Sequence, residues 1–409
     1  MHTDFRRHER HPHAAGRARR TRSGGLVTEF VKTAALGSPR PLEGVTVLGL
    51  EQFIAGPCVT MWLADAGAHV IKVEPPSGDP ARQLGPFAVR DGARFSGMFA
   101  RFNRGKEIVR ADLRTEAGVR TVLDLAEQAD VVVENFKPGV LARRGLGYDA
   151  VRAVCEDVIY CSITGFGADP RAAGPYSDYP ALDIVAQAMG GLMHLCGEEG
   201  GPPLYPGFGI GDVGTSMFAT IAILQALYRR QRTGAGARLD VPMYDSMIAL
   251  NERAMNALAY AGHVNTRGQA DLAAPWGAFP TTDGHVALIV PTDAMWRKVC
   301  AVIQRPDLVS DERTATAAER VAHRDTLTHP VLAGWTSTRT AAEVVAALLA
   351  AGVPCGKVQN SADLVSCPQV AARGQLWAAT GAAPEGAFVV GVPYRFVGEP
   401  EAPVPPVNA

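Results

Sequence analysis

From Pro41 onward, short apolar runs alternate with amphipathic stretches. Val45–Leu50 is apolar, Ala55-Gly56-Pro57 turns the chain, Val59, Met61, Trp62 and Leu63 follow, and His69–Val73 is apolar again. Strand, turn, helix, strand is the order this predicts, with Pro57 suited to a helix's first turn. A crossover of that kind implies parallel strands. The same alternation continues with a strand at Ile108–Asp112, a helix at Thr115–Gln128 behind a threonine cap, and a strand at Val131–Glu134. A helix at Val151–Cys155 and a strand at Val158–Thr164 complete the unit. The expected fold is α/β, an open parallel Rossmann-like sheet with ligand chemistry outside the strands' carboxyl ends.

The next stretch, Gly207-Phe-Gly-Ile-Gly-Asp212, leads into Val213, Met217, Phe218, Ile221, Leu224 and Leu227 at helical spacing. Arg229, Arg230 and Arg232 before Gly234 give a helix stop. Asp212 therefore stands at a helix entrance, where free N–H groups and the dipole favour an anion and predict an ionised carboxylate at neutral pH. Gly207, Gly209 and Gly211 would leave its approach open to another molecule. Most aspartates so placed only cap the helix, and on this stretch alone the cap is the favoured reading.

Beyond it, Arg238–Val241 reads as a strand and Met243 to about Ala261 as one long helix. His263–Pro275 is polar and linker-like. A hairpin at Ala278–Val290 around Thr282-Asp-Gly-His285, with helices at Ala294–Ile303, Ala318–Trp335 and Thr340–Ala351, makes a smaller α+β unit. Cys355–Asn360 and Gly386–Phe396 return to strand pattern. The organisation expected is a basic arm at 1–40, a large domain at 41–262, a linker at 263–277, a small domain at 278–354, and a return to the large domain at 355–409.

Charge changes little in this picture. Of 40 Lys+Arg and 41 Asp+Glu, nine basic and three acidic residues lie in the first forty, leaving 31 basic and 38 acidic, net −7. A mildly acidic body argues against nucleic-acid binding. The arm is expected to be disordered, and Val27 is a plausible later start. No uncharged apolar run reaches the ~18 residues of a membrane span, so a soluble protein without a membrane partner is expected. Seven scattered cysteines without C-x-x-C read as reduced thiols of a cytoplasmic protein, with no metal site. The loops Gln52–Pro57, Glu74–Pro86, Asn103-Arg-Gly-Lys106, Asn135-Phe-Lys-Pro-Gly139 and Gly165-Phe-Gly167 carry basic or amide groups suited to phosphates. Neither G-x-G-x-x-G after the first strand nor a P-loop occurs, which weakens a nicotinamide-dependent dehydrogenase.

Pro41-Leu-Glu-Gly-Val-Thr-Val-Leu48, Ala55-Gly-Pro57, Leu63-Ala-Asp-Ala-Gly-Ala-His-Val-Ile-Lys-Val-Glu74, Asn103-Arg-Gly-Lys106 and Ala129-Asp-Val-Val-Val-Glu-Asn-Phe-Lys-Pro-Gly139 stand in a family order and spacing. So do Gly165-Phe-Gly167, Asp183-Ile-Val-Ala-Gln-Ala-Met-Gly190, Thr233-Gly234, Ala351-Gly-Val-Pro354 and Pro368-Gln-Val-Ala-Ala-Arg373. Over roughly Pro41 to Pro400 the chain resembles the class III CoA-transferases (CaiB/BaiF type), a family with α-methylacyl-CoA racemase as a cousin. The resemblance implies an interlocked homodimer that binds a coenzyme A thioester as substrate, with no tightly bound cofactor. It makes Asp212 the nucleophile, which attacks a donor acyl-CoA and passes CoA to an acceptor carboxylic acid through an anhydride and an aspartyl-CoA thioester. It matches Asn135 and Arg143 to CoA contacts, Arg114 to a lysine near the phosphates, Ala111 to an adenine contact and Met243 to the acyl region. Arg267-Gly-Gln269 is a candidate lid. Arg114 and Arg143 read equally well as solvated cations.

Departures from the family narrow the reading. Ile54 stands where formyl-CoA transferase has a glutamine beside the active carboxylate, and Pro75 where it has an arginine. A bulkier or less polar acyl group than formyl or oxalyl fits Ile54. The racemase branch needs a histidine before the aspartate matching Asp183, and this chain has Leu182. His194 reads as a packed or loop histidine, and Asp183, Glu74 and Asp65 as structural acceptors or caps. A non-catalytic CoA-binding paralogue is disfavoured by the retained Asp212.

Overall fold

The computed structural model describes residues 40–90, 92–268, 273–381, 383–398 and 404–407. The basic arm up to residue 39, with Val27, lies outside the described residues. In chain order the strands are β1 (Thr46–Leu50), β2 (His69–Glu74), β3 (Phe87–Arg90), β4 (Ala93–Ser96), β5 (Lys106–Arg110), β6 (Val131–Glu134) and β7 (Ile159–Thr164). Then come β8 (Ala237–Pro242), β9 (Trp276–Thr281), β10 (Gly284–Ile289), β11 (Cys355–Lys357), β12 (Leu376–Ala378) and β13 (Phe388–Val390). Six of them form a parallel sheet in the order β5-β2-β1-β6-β7-β8.

Alternation within each strand divides the sheet's side chains between two cores. Val47, Val70, Val131, Val133 and Ile163 face Val59, Leu63, Ala219 and Ile223 of the helices Ala55–Asp65 and Ile210–Thr233. Leu48, Leu50, Ile71, Val132 and Tyr160 face Val122, Ala126 and Val151 of Glu116–Ala126 and Tyr148–Val154. Burial on both faces is why these strands read as continuous apolar runs. Ile210–Thr233 is long and apolar enough to cross a membrane by length and composition, yet one side of it fills the first core. Its far end is tied to the sheet's amino edge, where Asp130 accepts Arg230 Nη2 at 2.8 Å and the Thr46 N–H at 2.8 Å.

A third core joins the antiparallel sheet β11-β10-β9 to Asp293–Val302, His329–Thr336 and Ala341–Ala350 through Phe279, Val286, Trp296, Leu332 and Val344. Two boundaries of the expected organisation are corrected here. Trp276, assigned to the linker, pairs with Ile289, and Cys355–Lys357, assigned to the returning tail, pairs with β10 and belongs to this smaller body. Further on, β12 and β13 pack near Ala100, and Gly105 N–H donates to Pro406 O at 2.8 Å.

Three elements differ from the pattern-based reading. The strand expected at Ile108–Asp112 runs two residues earlier, because Gly105 takes φ +70° and starts β5 at once. Met243–Ala261 breaks at Asn251, whose side chain leaves the helix to donate to Gly190 O at 3.2 Å. Ala318–Trp335 is interrupted by a π turn at Arg324–Thr328, just before Pro330, which has no N–H to continue an α ladder.

The helix Ala55–Asp65 ends on a buried ion pair: Arg104, fully buried, donates Nε to Asp65 Oδ1 at 2.9 Å. Burial pushes the Asp65 carboxyl up and Arg104 opposes it. Removing one partner strands the other charge. Arg104→Ala should cost about 3–5 kcal/mol in urea unfolding, and the Asp65→Leu/Arg104→Leu pair less than that. A loss under about 1 kcal/mol for the single variant, the range of exposed pairs, would contradict the assignment.

Candidate active site

The sheet's strand order reverses between β1 and β6, the position at which open α/β sheets leave a crevice at their carboxyl edge. Asn135, just after β6, bridges it: its Oδ1 accepts the Gln52 N–H at 2.9 Å and its Nδ2 donates to Gln52 O at 2.8 Å. Gly56 makes the approach feasible, since a Cβ there would lie 3.1 Å from Asn135 Cγ. Ile54 precedes the helix Ala55–Asp65 and packs with Cys58, Met61 and Phe102.

Asp212 sits in the first turn of Ile210–Thr233, but Gly209 holds the cap position and Asp212 caps nothing. Its backbone N–H donates to Asp183 Oδ1 at 3.1 Å. Gln187, fully buried one turn along Asp183–Met189, donates Nε2 to Asp183 Oδ2 at 2.7 Å and to Phe208 O at 3.2 Å. Gly211 exists for this contact: a Cβ there would meet Asp183 Oδ1 at 2.7 Å. The expectation that the glycines keep the approach open is therefore corrected at Gly211, whose open side is filled by Asp183. Gly207, at φ +87°, does face open space.

No group among the described residues hydrogen-bonds the Asp212 carboxylate. Burial first, and the Asp183 charge second, push its pKa up to about 7. This corrects the expected ionised carboxylate, because desolvation and a like charge outweigh the helix dipole. Asp212 is a poised acid–base group at neutral pH.

Ser216, one turn on, joins this head to the crevice. Its Oγ lies 2.7 Å from both Asp212 O and Ala55 O, so Ile54 and Asp212 are brought together through it. Met243 is buried against Met247, Ala186 and Ile210 and supports the helix start from beneath. The remaining candidates lie along the same edge but apart. Ala111 is buried in the second core with its N–H on Glu74 O. Arg114 is exposed and spends Nε and Nη2 on Asp112, each at 2.9 Å. Arg143, exposed at the end of Val140–Arg143, has no ion pair among the described residues and lies over Gly139, where a Cβ would be 2.8 Å from Nη1.

The basic tip Asn103-Arg-Gly-Lys106 does not offer its charges to a phosphate. Arg104 is spent on Asp65, and Lys106 is buried on Glu51 Oε1 at 2.7 Å. Gln187 and Ser216 escaped sequence reasoning. Their only signal is i, i+4 spacing from Asp183 and Asp212, which has meaning once both helices are known to meet. Of the candidate lid, Gln269 lies outside the described residues, and Arg267 lies against Gly197.

The sequence matches the CoA-transferase family III profile over residues 42–408. It is 40% identical over 340 residues to the succinyl-CoA:mesaconate CoA-transferase of Haloarcula hispanica, covering 82% of this chain and 84% of that one. It is 37% identical over 344 residues to the succinyl-CoA:glutarate CoA-transferase of Mus musculus, covering 82% and 76%. A CAIB/BAIF family protein from Brucella suis superposes with a TM-score of 0.79 at 37% identity, covering 90% of this chain and 96% of that one. The family match and these relatives define the class of protein: a CoA-transferase enzyme built on a doubly covered parallel sheet. The chain belongs to CoA-transferase family III, as the resemblance implied.

Because the folded state holds the Asp212 proton up to about pH 7 and the unfolded chain releases it near 3.8, ionising Asp212 costs stability. That penalty grows from about pH 4 and is complete above about 7. Asp212→Asn should therefore melt a few degrees above the parent at pH 8, with the gain shrinking toward pH 5. Calorimetry at the two values checks it, and an equal difference at both would contradict it.

Proposed function

We propose that this enzyme moves CoA from an acyl-CoA thioester to a free carboxylic acid with Asp212 as the covalent nucleophile. The observation that carries the reading is a carboxylate held at a helix head without a hydrogen-bond donor among the described residues. Once ionised, its oxygen attacks the thioester carbonyl and the C–S bond breaks, giving a mixed anhydride and CoA thiolate. The thiolate attacks the aspartyl carbonyl and expels the donor acid, leaving an aspartyl-CoA thioester. The acceptor carboxylate then displaces the thiolate to form a second anhydride, and the thiolate takes the acceptor's acyl group, freeing Asp212. Backbone dipoles at the heads of Ala55–Asp65 and Ile210–Thr233 favour the developing negative charge.

Asn135 and Arg143 are proposed as CoA contacts on either side of Gly139, with Arg143 the stronger candidate for a phosphate because its charge is unspent. Arg114 keeps that role only by sharing its guanidinium with Asp112. Ile54 and Met243 are proposed for the acyl region and Ala111 for the adenine end. Dicarboxylic acyl groups are the substrate class supported by the two relatives' names. Met217, Ile221, Leu224 and Tyr228 form an exposed stripe along Ile210–Thr233, and an interlocked second copy is the proposed cover. Seven free cysteines support a cytoplasmic enzyme. Racemisation is disfavoured, since the residue before Asp183 is the exposed Leu182, which offers no base.

A panel of acyl-CoAs and free acids read by mass spectrometry tests this. Asp212→Ala should abolish exchange while CoA binding persists, and persistent turnover would refute the nucleophile. Over pH 5–9 the parent rate should climb through one ionisation near 7. Asp183→Asn should shift that midpoint to lower pH, and an unmoved midpoint would refute the coupling.

A further inference from the structure

Residues Glu51–Pro57 carry the chain from β1 into the helix beside Asp212, and side chains from five directions hold their backbone. Lys72 Nζ donates to Glu51 O at 3.2 Å, and Asn135 takes both sides of Gln52. Asp79 Oδ1 accepts the Phe53 N–H at 3.2 Å, Ser216 Oγ meets Ala55 O at 2.7 Å, and Lys106 Nζ donates to Pro57 O at 3.0 Å. Behind the segment the charges close on one another. Glu51 Oε1 accepts Lys106 at 2.7 Å and Thr60 Oγ1 at 2.9 Å, and Asp79 Oδ2 accepts Lys72 at 2.7 Å. Asn103 Oδ1 takes a further Lys106 proton at 3.1 Å.

Glu51, Lys72, Asp79 and Lys106 are all buried and sum to zero charge. Burial pulls the Lys106 amine down to about 8, against the pull of Glu51. A buried charge network is a poor source of stability, because apolar side chains of equal volume commonly do as well. What it supplies is geometry. Phe53 shows for what: it takes φ +61°, a strained conformation for a bulky residue. The residue is 38% exposed, so core packing does not repay the strain. The conformation persists because the network over-determines it, and Ser216 couples it to the backbone of Asp212.

We infer that Glu51, Lys72, Asp79 and Lys106, with Ser216, are positioning residues for acyl transfer, holding the Glu51–Pro57 backbone in register with the head of the Asp212 helix. The inference rests on Asp212 being the nucleophile. The charges never touch the substrate. They act through the wall formed by Ile54 and the first turn of Ala55–Asp65, where a displacement of about 1 Å can cost up to ~100-fold in rate.

The test uses the full chain with the acyl-CoA and acid that the parent turns over. Asp79→Asn removes one charge while keeping its shape, and Ser216→Ala cuts the link to Asp212. Phe53→Gly relieves the strain, since glycine adopts φ +61° freely, so adding it to Asp79→Asn should restore part of any lost kcat, and Ser216→Ala keeps the inference testable if Asp79→Asn does not fold. Folded Asp79→Asn and Ser216→Ala should each lose about tenfold or more in kcat, with the acyl-CoA KM within about twofold of the parent. Unchanged kcat in folded variants, a raised KM at constant kcat, or a loss that merely tracks the folded fraction would overturn it. Asp212→Ala, run alongside, separates the two readings. If it retains turnover the nucleophile is wrong, and if it is dead while Asp79→Asn and Ser216→Ala run at the parent rate only the positioning role is wrong.

Discussion

Two carboxylates share the head of one helix, and the surrounding structure is arranged around what that costs. Asp183 accepts the backbone N–H of Asp212, so it comes as close as a helix start allows, and Gly211 must lack a side chain to admit it. Gln187 holds the outer Asp183 oxygen. Asp212 cannot relax toward solvent, because its helix is fixed at the other end by Arg230 on Asp130 and along its length by the first core. The result is a carboxyl group that holds its proton near neutrality and has no hydrogen-bond donor among the described residues. A stabilised carboxylate would make a weaker nucleophile, so the same cost that lowers stability raises reactivity.

Cations at the sheet's carboxyl edge fall into two populations with different work. Lys72, Lys106 and Arg104 are buried and neutralised by Glu51, Asp79 and Asp65, where they fix backbone. Lys137 and Arg143 are exposed beyond β6 with no ion pair among the described residues. Only the second population is free to meet an anionic ligand, and it lies on the β6 side of the crevice. Arg114 stands between them, exposed but shared with Asp112.

Much of the fold was legible because both faces of the sheet are covered, which writes each central strand as an apolar run. Val131–Glu134 could be read directly for that reason. Short paired elements were less legible. Cys355–Lys357 has too few residues to announce a partner, and its place beside β10 is set by the hairpin already there. In the site, Asp212 was visible from its glycines, its helix and its family spacing. Its protonation was not, because that depends first on burial in the assembled fold and then on Asp183, 29 residues away in sequence. Lys106 and Arg104 were misread for a similar reason: a basic residue at a strand end looks the same in sequence whether it faces water or a buried carboxylate.

Oxygen labelling of the enzyme tests the central claim most directly. When the acceptor acid carries heavy oxygen in its carboxylate, collapse of the second anhydride leaves one acceptor oxygen on the aspartate. After a single turnover in ordinary water, the peptide containing Asp212 should be heavier by one exchanged oxygen on that side chain, rising toward two as turnovers accumulate. Unlabelled Asp212 after many turnovers, with labelled product formed, would contradict the covalent role assigned to it.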